Sequence, residues 1–183
     1  MRKVLSGLFT LTIMVLATLS GQQASAAEVN VYSAREENLI KPLLDRFSDE
    51  TGIRVNLITA GADELTTRME LEGANSPADV LLTVDVGRLW RAKEADLLQS
   101  VDSDVLMRQV PSQYRDSDNQ WFAASLRSRV IVYDKERVDP SELSTYEALA
   151  DPKWRGDICV RSSSNIYNQS LVASLVSHNG LDD

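Results

Sequence analysis

Three short apolar runs separated by two amphipathic helical stretches confine this chain to a small set of folds. Residues 28–33 alternate apolar and polar side chains and predict a strand. Between positions 36 and 50, Leu39, Ile40, Leu43, Leu44 and Phe47 fall on one helical face, and Gly52 supplies the stop. Residues 53–58 predict a second strand. The turn Gly61-Ala62-Asp63 then opens a helix running to Gly73, with Asp63 its expected cap. After Ser76-Pro77, residues 78–83 predict a third strand. Strand, helix, strand, helix, strand at this spacing is the pattern of βαβ units on a parallel sheet.

The remainder reads as the start of a second α/β unit. A helix over 86–95 and an irregular stretch over 97–118 lead to a polar surface turn at 115–120. Residues 121–123 and 130–133 predict strands, and Asp139-Pro140-Ser141 breaks the chain before a short helix over 146–150. A turn at 152–156 leads to a strand over 157–160. The polar run Arg161-Ser162-Ser163-Ser164 precedes a helix over 165–177. Two or three strands do not close a sheet, so the second unit is expected to be incomplete and the chain to be cut short at its C-terminus.

Charge and the N-terminus narrow the function classes. Met1-Arg2-Lys3, the apolar stretch from Val4 to Leu19 and Ala24-Ser25-Ala26-Ala27 form the three regions of a cleavable export signal, with cleavage expected after Ala26. Cleavage removes two basic residues and no acid, leaving 17 basic against 27 acidic side chains, a net charge of -10. An acidic chain with no basic cluster lacks the cations that displace counterions from a phosphate backbone, so nucleic acid is excluded as a partner. Beyond Leu19 no apolar run approaches the roughly 20 residues that span a bilayer. The single Cys159 can form neither an intrachain disulfide nor a thiolate zinc framework. An exported chain without internal disulfides suits the bacterial periplasm.

Six segments in order then carry a resemblance. They are Val31-Tyr32-Ser33-Ala34-Arg35, Thr51-Gly52-Ile53-Arg54-Val55, Ser76-Pro77-Ala78-Asp79-Val80, the run from Arg127 to Tyr133, Asp151-Pro152-Lys153-Trp154, and Arg161-Ser162-Ser163-Ser164-Asn165. Together they resemble the periplasmic ferric-iron-binding proteins of ABC importers. The resemblance implies a type II periplasmic-binding-protein-like α/β fold with two lobes, the second incomplete here. Residues 1–26 would be the signal peptide, 27–122 the first lobe and 123–183 the start of the second. It further implies a monomer that captures ferric iron, with no catalysis, and delivers it to an inner-membrane ABC importer permease; the alternatives are a binding protein for another small anionic solute, held by Arg35 and the serine run, and a truncated fragment that binds no cargo.

The same resemblance assigns site residues. Tyr133 matches an iron-ligating tyrosine of the subgroup that binds iron through tyrosines, and Tyr32 and Arg35 sit where a first loop faces the cleft. Where other subgroups place a histidine this chain has Glu36 and Glu37, and where another places a carboxylate it has Val84, with Asp85 one position on. Ferric iron is a hard cation that favours anionic oxygen, which a phenolate provides. Taken alone, Tyr133 also reads as an amphipathic residue at a core edge. Arg35 can hold a synergistic anion such as carbonate through its planar fork, or stand as a surface charge. Ser163, Ser164 and Asn165 precede a helix start, where they can contact an anion or cap the helix.

An enzymatic reading of Asp79 and Asp85, as carboxylates near a strand end, finds no nucleophile elbow, zinc motif or phosphate loop to support it. Asp79 reads instead as a strand-entry or cap residue, and Cys159 as buried within an apolar strand.

Overall fold

A computed structural model describes residues 27–181; the expected export signal lies outside the described residues. The first unit is a three-stranded parallel sheet with order β2-β1-β3. Strand β1 (Glu28–Ser33) is central, paired with β2 (Arg54–Thr59) along its whole length and with β3 (Val80–Leu82) over its second half. Helix α1 (Glu37–Thr51) links β1 to β2, and α2 (Ala62–Glu72) leads back toward β3. α1 ends where expected: Gly52 adopts φ 72°, a conformation that costs glycine nothing, and its N–H donates to the Ser48 carbonyl.

The core follows from strand register. Tyr32 lies opposite Ile58 on one side and Leu81 on the other, so the three share a face of the sheet. Leu65 and Met69, four apart on α2, close over that row, and Tyr32 and Leu65 are fully buried. Asp79 locks the strand entry as expected, its Oδ2 accepting from both the backbone N–H and the side-chain amide of Asn30.

Helix α3 (Val86–Glu94) follows β3. A short helix, α4 (Asp104–Gln109), capped by the Ser103 hydroxyl, lies in the stretch read as irregular. Lys93 on α3 clamps the turn after it, donating to Asp116 at 2.8 Å and Asp118 at 2.7 Å. Helix α5 (Ile166–Asn179) closes the described chain, with Asn165 as its cap.

Several expectations need correction. The Asp63 side chain does not cap α2: Gly61 holds the cap position, and Asp63 instead accepts from Arg88. The stripe on α1 is split, with Ile40 buried and Leu39, Leu43 and Phe47 exposed. Residues 130–133 and 157–160 are not strands, and 121–123 contribute only an isolated bridge from Phe122 to Arg115. Their residue types favour extended backbone, but a strand exists only against a neighbour, and among the described residues no ladder forms along 130–133. Cys159, read as buried within such a strand, is consequently exposed.

Candidate functional site

In an open parallel sheet the loops leaving the strand C-termini gather along one edge, the edge where such folds bind ligands. Here those loops begin at Ala34, Ala60 and Thr83, and the first is pinned by the Ala34 N–H donating to the Leu82 carbonyl at 2.8 Å. Arg35 sits in this loop, its backbone N–H donating to the buried Ser33 hydroxyl.

Asp85 ends the third loop and joins the edge to the rest of the chain. Its backbone takes φ 73°, a conformation that costs a non-glycine residue of order 1 kcal/mol and persists only when its surroundings enforce it. Its Oδ1 accepts from the Gly87 N–H at 2.9 Å and from the Ser170 hydroxyl on α5, and its Oδ2 faces Arg129 at 3.8 Å. Arg91 reinforces the junction by donating to Gln169 at 2.8 Å.

Tyr133 lies beyond this junction on the wall of a cavity of about 640 Å³. Arg129, Tyr146, Arg161 and Tyr167 share that wall. The Arg129 and Arg161 guanidiniums lie 5.9 and 5.4 Å from the centre of the Tyr167 ring, and Arg127 donates to the Tyr167 hydroxyl at 3.4 Å. Among the described residues neither Arg127 nor Arg161 has a carboxylate within 4.0 Å, so two guanidinium charges stand without an ionic partner in an acidic chain. The Tyr146 hydroxyl is shielded from solvent and has no hydrogen-bond partner among the described residues. The arrangement brings phenolic oxygen and uncompensated positive charge to one concavity, which is chemistry for an oxyanion or for an oxygen-ligated cation accompanied by one.

The expected site residues fare differently. Tyr32 is fully buried and donates its hydroxyl to Glu72 at 2.9 and 3.0 Å, while Arg68 stacks 4.9 Å from its ring centre. Burial, then the Glu72 carboxylate, pushes its pKa above the ordinary tyrosine value. A ferric ligand must lose that proton, so this geometry opposes the metal-ligand role expected for Tyr32. Ser164 bonds Ser162 through their hydroxyls at 2.9 Å, the Ser163 carbonyl accepts from Gln169, and Asn165 Oδ1 accepts from the Tyr167 N–H at 3.1 Å. Capping thus engages Asn165, and the serine run is largely satisfied within itself. The guanidiniums around Tyr167 went unpredicted, although Arg127, Arg129 and Arg161 were visible at the edges of the apolar runs. Nothing in the sequence signals the Asp85–Ser170 bond, whose partners are 85 positions apart.

The fold and this edge define a class: a type II periplasmic-binding-protein-like α/β protein. Residues 32–163 match the bacterial extracellular solute-binding protein family, and the chain belongs to it. It is 55% identical over 165 residues to iron uptake protein A1 of Synechocystis, covering 90% of this chain and 45% of that protein. Against the Fe(3+)-binding periplasmic protein of Serratia marcescens it is 34% identical, covering 87% of this chain and 48% of the relative. A Trichodesmium protein solved with iron and citrate superposes with TM-score 0.82 at 52% identity, over 86% of this chain and 50% of that one. The apo ferric ion-binding protein A of Pasteurella haemolytica gives 0.76 at 48%, over 86% and 49%. The chain thus spans about half the length of the relatives it matches.

Proposed function

We propose that this chain carries part of the cargo cleft of a periplasmic solute-binding protein that captures ferric iron and hands it to an inner-membrane ABC importer permease. The observation that carries the reading is the superposition on the iron- and citrate-containing Trichodesmium structure at 52% identity. The chemistry agrees. Among the described residues no group of three His, Cys, Asp or Glu side chains converges on a metal position, whereas Tyr133 lines the same cavity as Arg129 and Arg161. Iron(III) would take Tyr133 as phenolate and complete its shell with further oxygens. A carbonate or carboxylate anion would bridge the ion to Arg129 and Arg161, with Arg35 and the 163–165 turn as further anion contacts. Tyr32 stays outside the ligand set, held by Glu72. Residues 27–122 form the first lobe and residues from 123 onward belong to the second. The protein acts as a monomer and performs no catalysis.

Titration with ferric citrate tests this directly. Binding should give a visible tyrosinate-to-iron absorption band that Tyr133→Phe abolishes or strongly weakens and Tyr32→Phe leaves in place. An unchanged band in Tyr133→Phe removes that residue from the site. The unpaired guanidiniums favour one second reading, a carrier of a small anionic solute without iron. Competition of iron-free carboxylates and oxyanions against ferric citrate separates the two.

A further inference from the structure

We propose that Asp85 and Ser170 form the latch that holds α5 against the C-terminal edge of the sheet, making Asp85 a positioning residue of the cleft. The inference rests on the proposed cargo cleft only for its purpose; the contact itself is independent of cargo. Three observations converge. The Asp85 carboxylate is 7% exposed, and each of its oxygens faces a partner: Gly87 N–H and the Ser170 hydroxyl on one, Arg129 on the other. The left-handed backbone at Asp85 turns the chain from β3 into α3, and the same carboxylate then caps α3 and reaches α5.

Gly87 supplies the third observation. A Cβ at this position would lie 3.1 Å from Asp85 Oδ1, 3.2 Å from Ile166 Cδ1 and 3.3 Å from Ser170 Oγ. These approaches are tighter than ordinary packing, so a side chain at this position would push the Asp85, Ile166 and Ser170 side chains away by a few tenths of an ångström. The spacing of the latch matters for the site. Ser170 is five residues after the cap Asn165, and Arg129 is four before Tyr133, so one carboxylate registers both segments that line the cavity against the first unit. A bond between elements this distant in sequence, with one of them carrying cavity residues, is what a two-position cleft needs to bias its closed form.

The test uses a distance that needs no iron. The exposed Cys159 and a second cysteine introduced as Thr67→Cys on the exposed side of α2 carry a fluorescent donor and acceptor in the full chain. The parent should give a short, narrow distance distribution. Ser170→Ala leaves the Asp85–Gly87 cap intact and removes only the reach to α5, so it should lengthen and broaden the distribution while far-UV circular dichroism stays constant. Gly87→Val, which wedges the same junction, should do likewise, and Ser170→Thr, which keeps the hydroxyl, should restore the parental distance.

Parental distances in both Ser170→Ala and Gly87→Val overturn the latch, as does a Ser170→Ala change that Ser170→Thr fails to reverse. In ferric citrate titrations the latch variants should bind more weakly in proportion to the lost closed population, with the tyrosinate band unmoved in wavelength. A chain that gives no iron band but opens in Ser170→Ala refutes the iron reading and leaves the latch standing.

Discussion

Val29-Asn30-Val31-Tyr32 and Val130-Ile131-Val132-Tyr133 differ at a single position, yet the fates of Val31 and Val132 diverge. Val31 lies in the central strand of a parallel sheet and is 5% exposed; Val132 lies in no strand among the described residues and is 87% exposed. Pairing explains the difference. Residues 28–33 have neighbours on both sides, delivered by crossover helices that bring β2 and β3 alongside within about 50 residues. Residues 130–133 have no hydrogen-bonded neighbour among the described residues. The lesson is that β-branched composition specifies readiness to pair, while the strand itself belongs to at least two segments.

Hydrogen exchange is the sharpest way to break this comparison. Amides of β1 are held in the ladder and should exchange through openings close to global unfolding, whereas the amides of 130–133 should exchange almost freely. The two sets should differ by about a thousandfold or more. Equal protection would mean that 130–133 pairs in solution and that the contrast is false.

Side-chain truncation gives the next largest effect. Leu65→Ala removes a fully buried group from the face shared with Tyr32 and Met69 and should cost about 2–5 kcal/mol in urea unfolding. Val132→Ala should change stability by less than about 0.5 kcal/mol. A comparable cost at both positions would show that the second region has a core of its own.

A smaller effect comes from the clamp between α3 and the 115–120 turn. Burial alone would raise the Asp116 pKa, but the Lys93 ammonium and the backbone N–H groups of Gln120 and Asp118 outweigh it and hold the carboxyl below its ordinary value. A depressed folded pKa stabilises above the unfolded value near 3.8 and loses that contribution as pH falls. Lys93→Met removes the main opposition to burial, so acid unfolding monitored by tryptophan fluorescence should begin at higher pH. No movement of that midpoint would show that the turn is anchored elsewhere.

The sequence predicts much of the first unit because its elements are set by local chemistry. Period-2 strands, a 3.6-period helix and Gly52 each act within a few residues, and α1, α2 and all three strands appear within about two positions of expectation. Asn165 capping α5 was legible for the same reason. Long-range partners were not. No pattern announces that Glu72 takes the Tyr32 hydroxyl across 40 positions, that Asp85 meets Ser170, or that three arginines surround Tyr167. The misreading of Cys159 has the same origin, since its burial was inferred from a strand that finds no partner.

Tyr32 provides the smallest effect and separates a core tyrosine from a cleft tyrosine. Tyr32→Phe keeps the ring between Leu65 and Met69 and deletes only the hydroxyl. Glu72 is not orphaned by the loss, because Arg68 Nε and the Ser76 hydroxyl still donate to it at 2.7 Å each. The cost should therefore fall near about 1 kcal/mol, the net contribution of one hydrogen bond, rather than the larger penalty of a stranded buried group. The pH dependence sharpens the point. A tyrosine whose folded pKa is raised contributes stability that is complete below the unfolded value near 10 and declines as pH climbs past it. Parent and Tyr32→Phe stabilities should therefore converge above that pH, measured by urea unfolding from pH 7 to 11. A constant gap across this range would mean that the Tyr32 proton is not held by Glu72, and would return its phenol to the candidate ligands of the cleft.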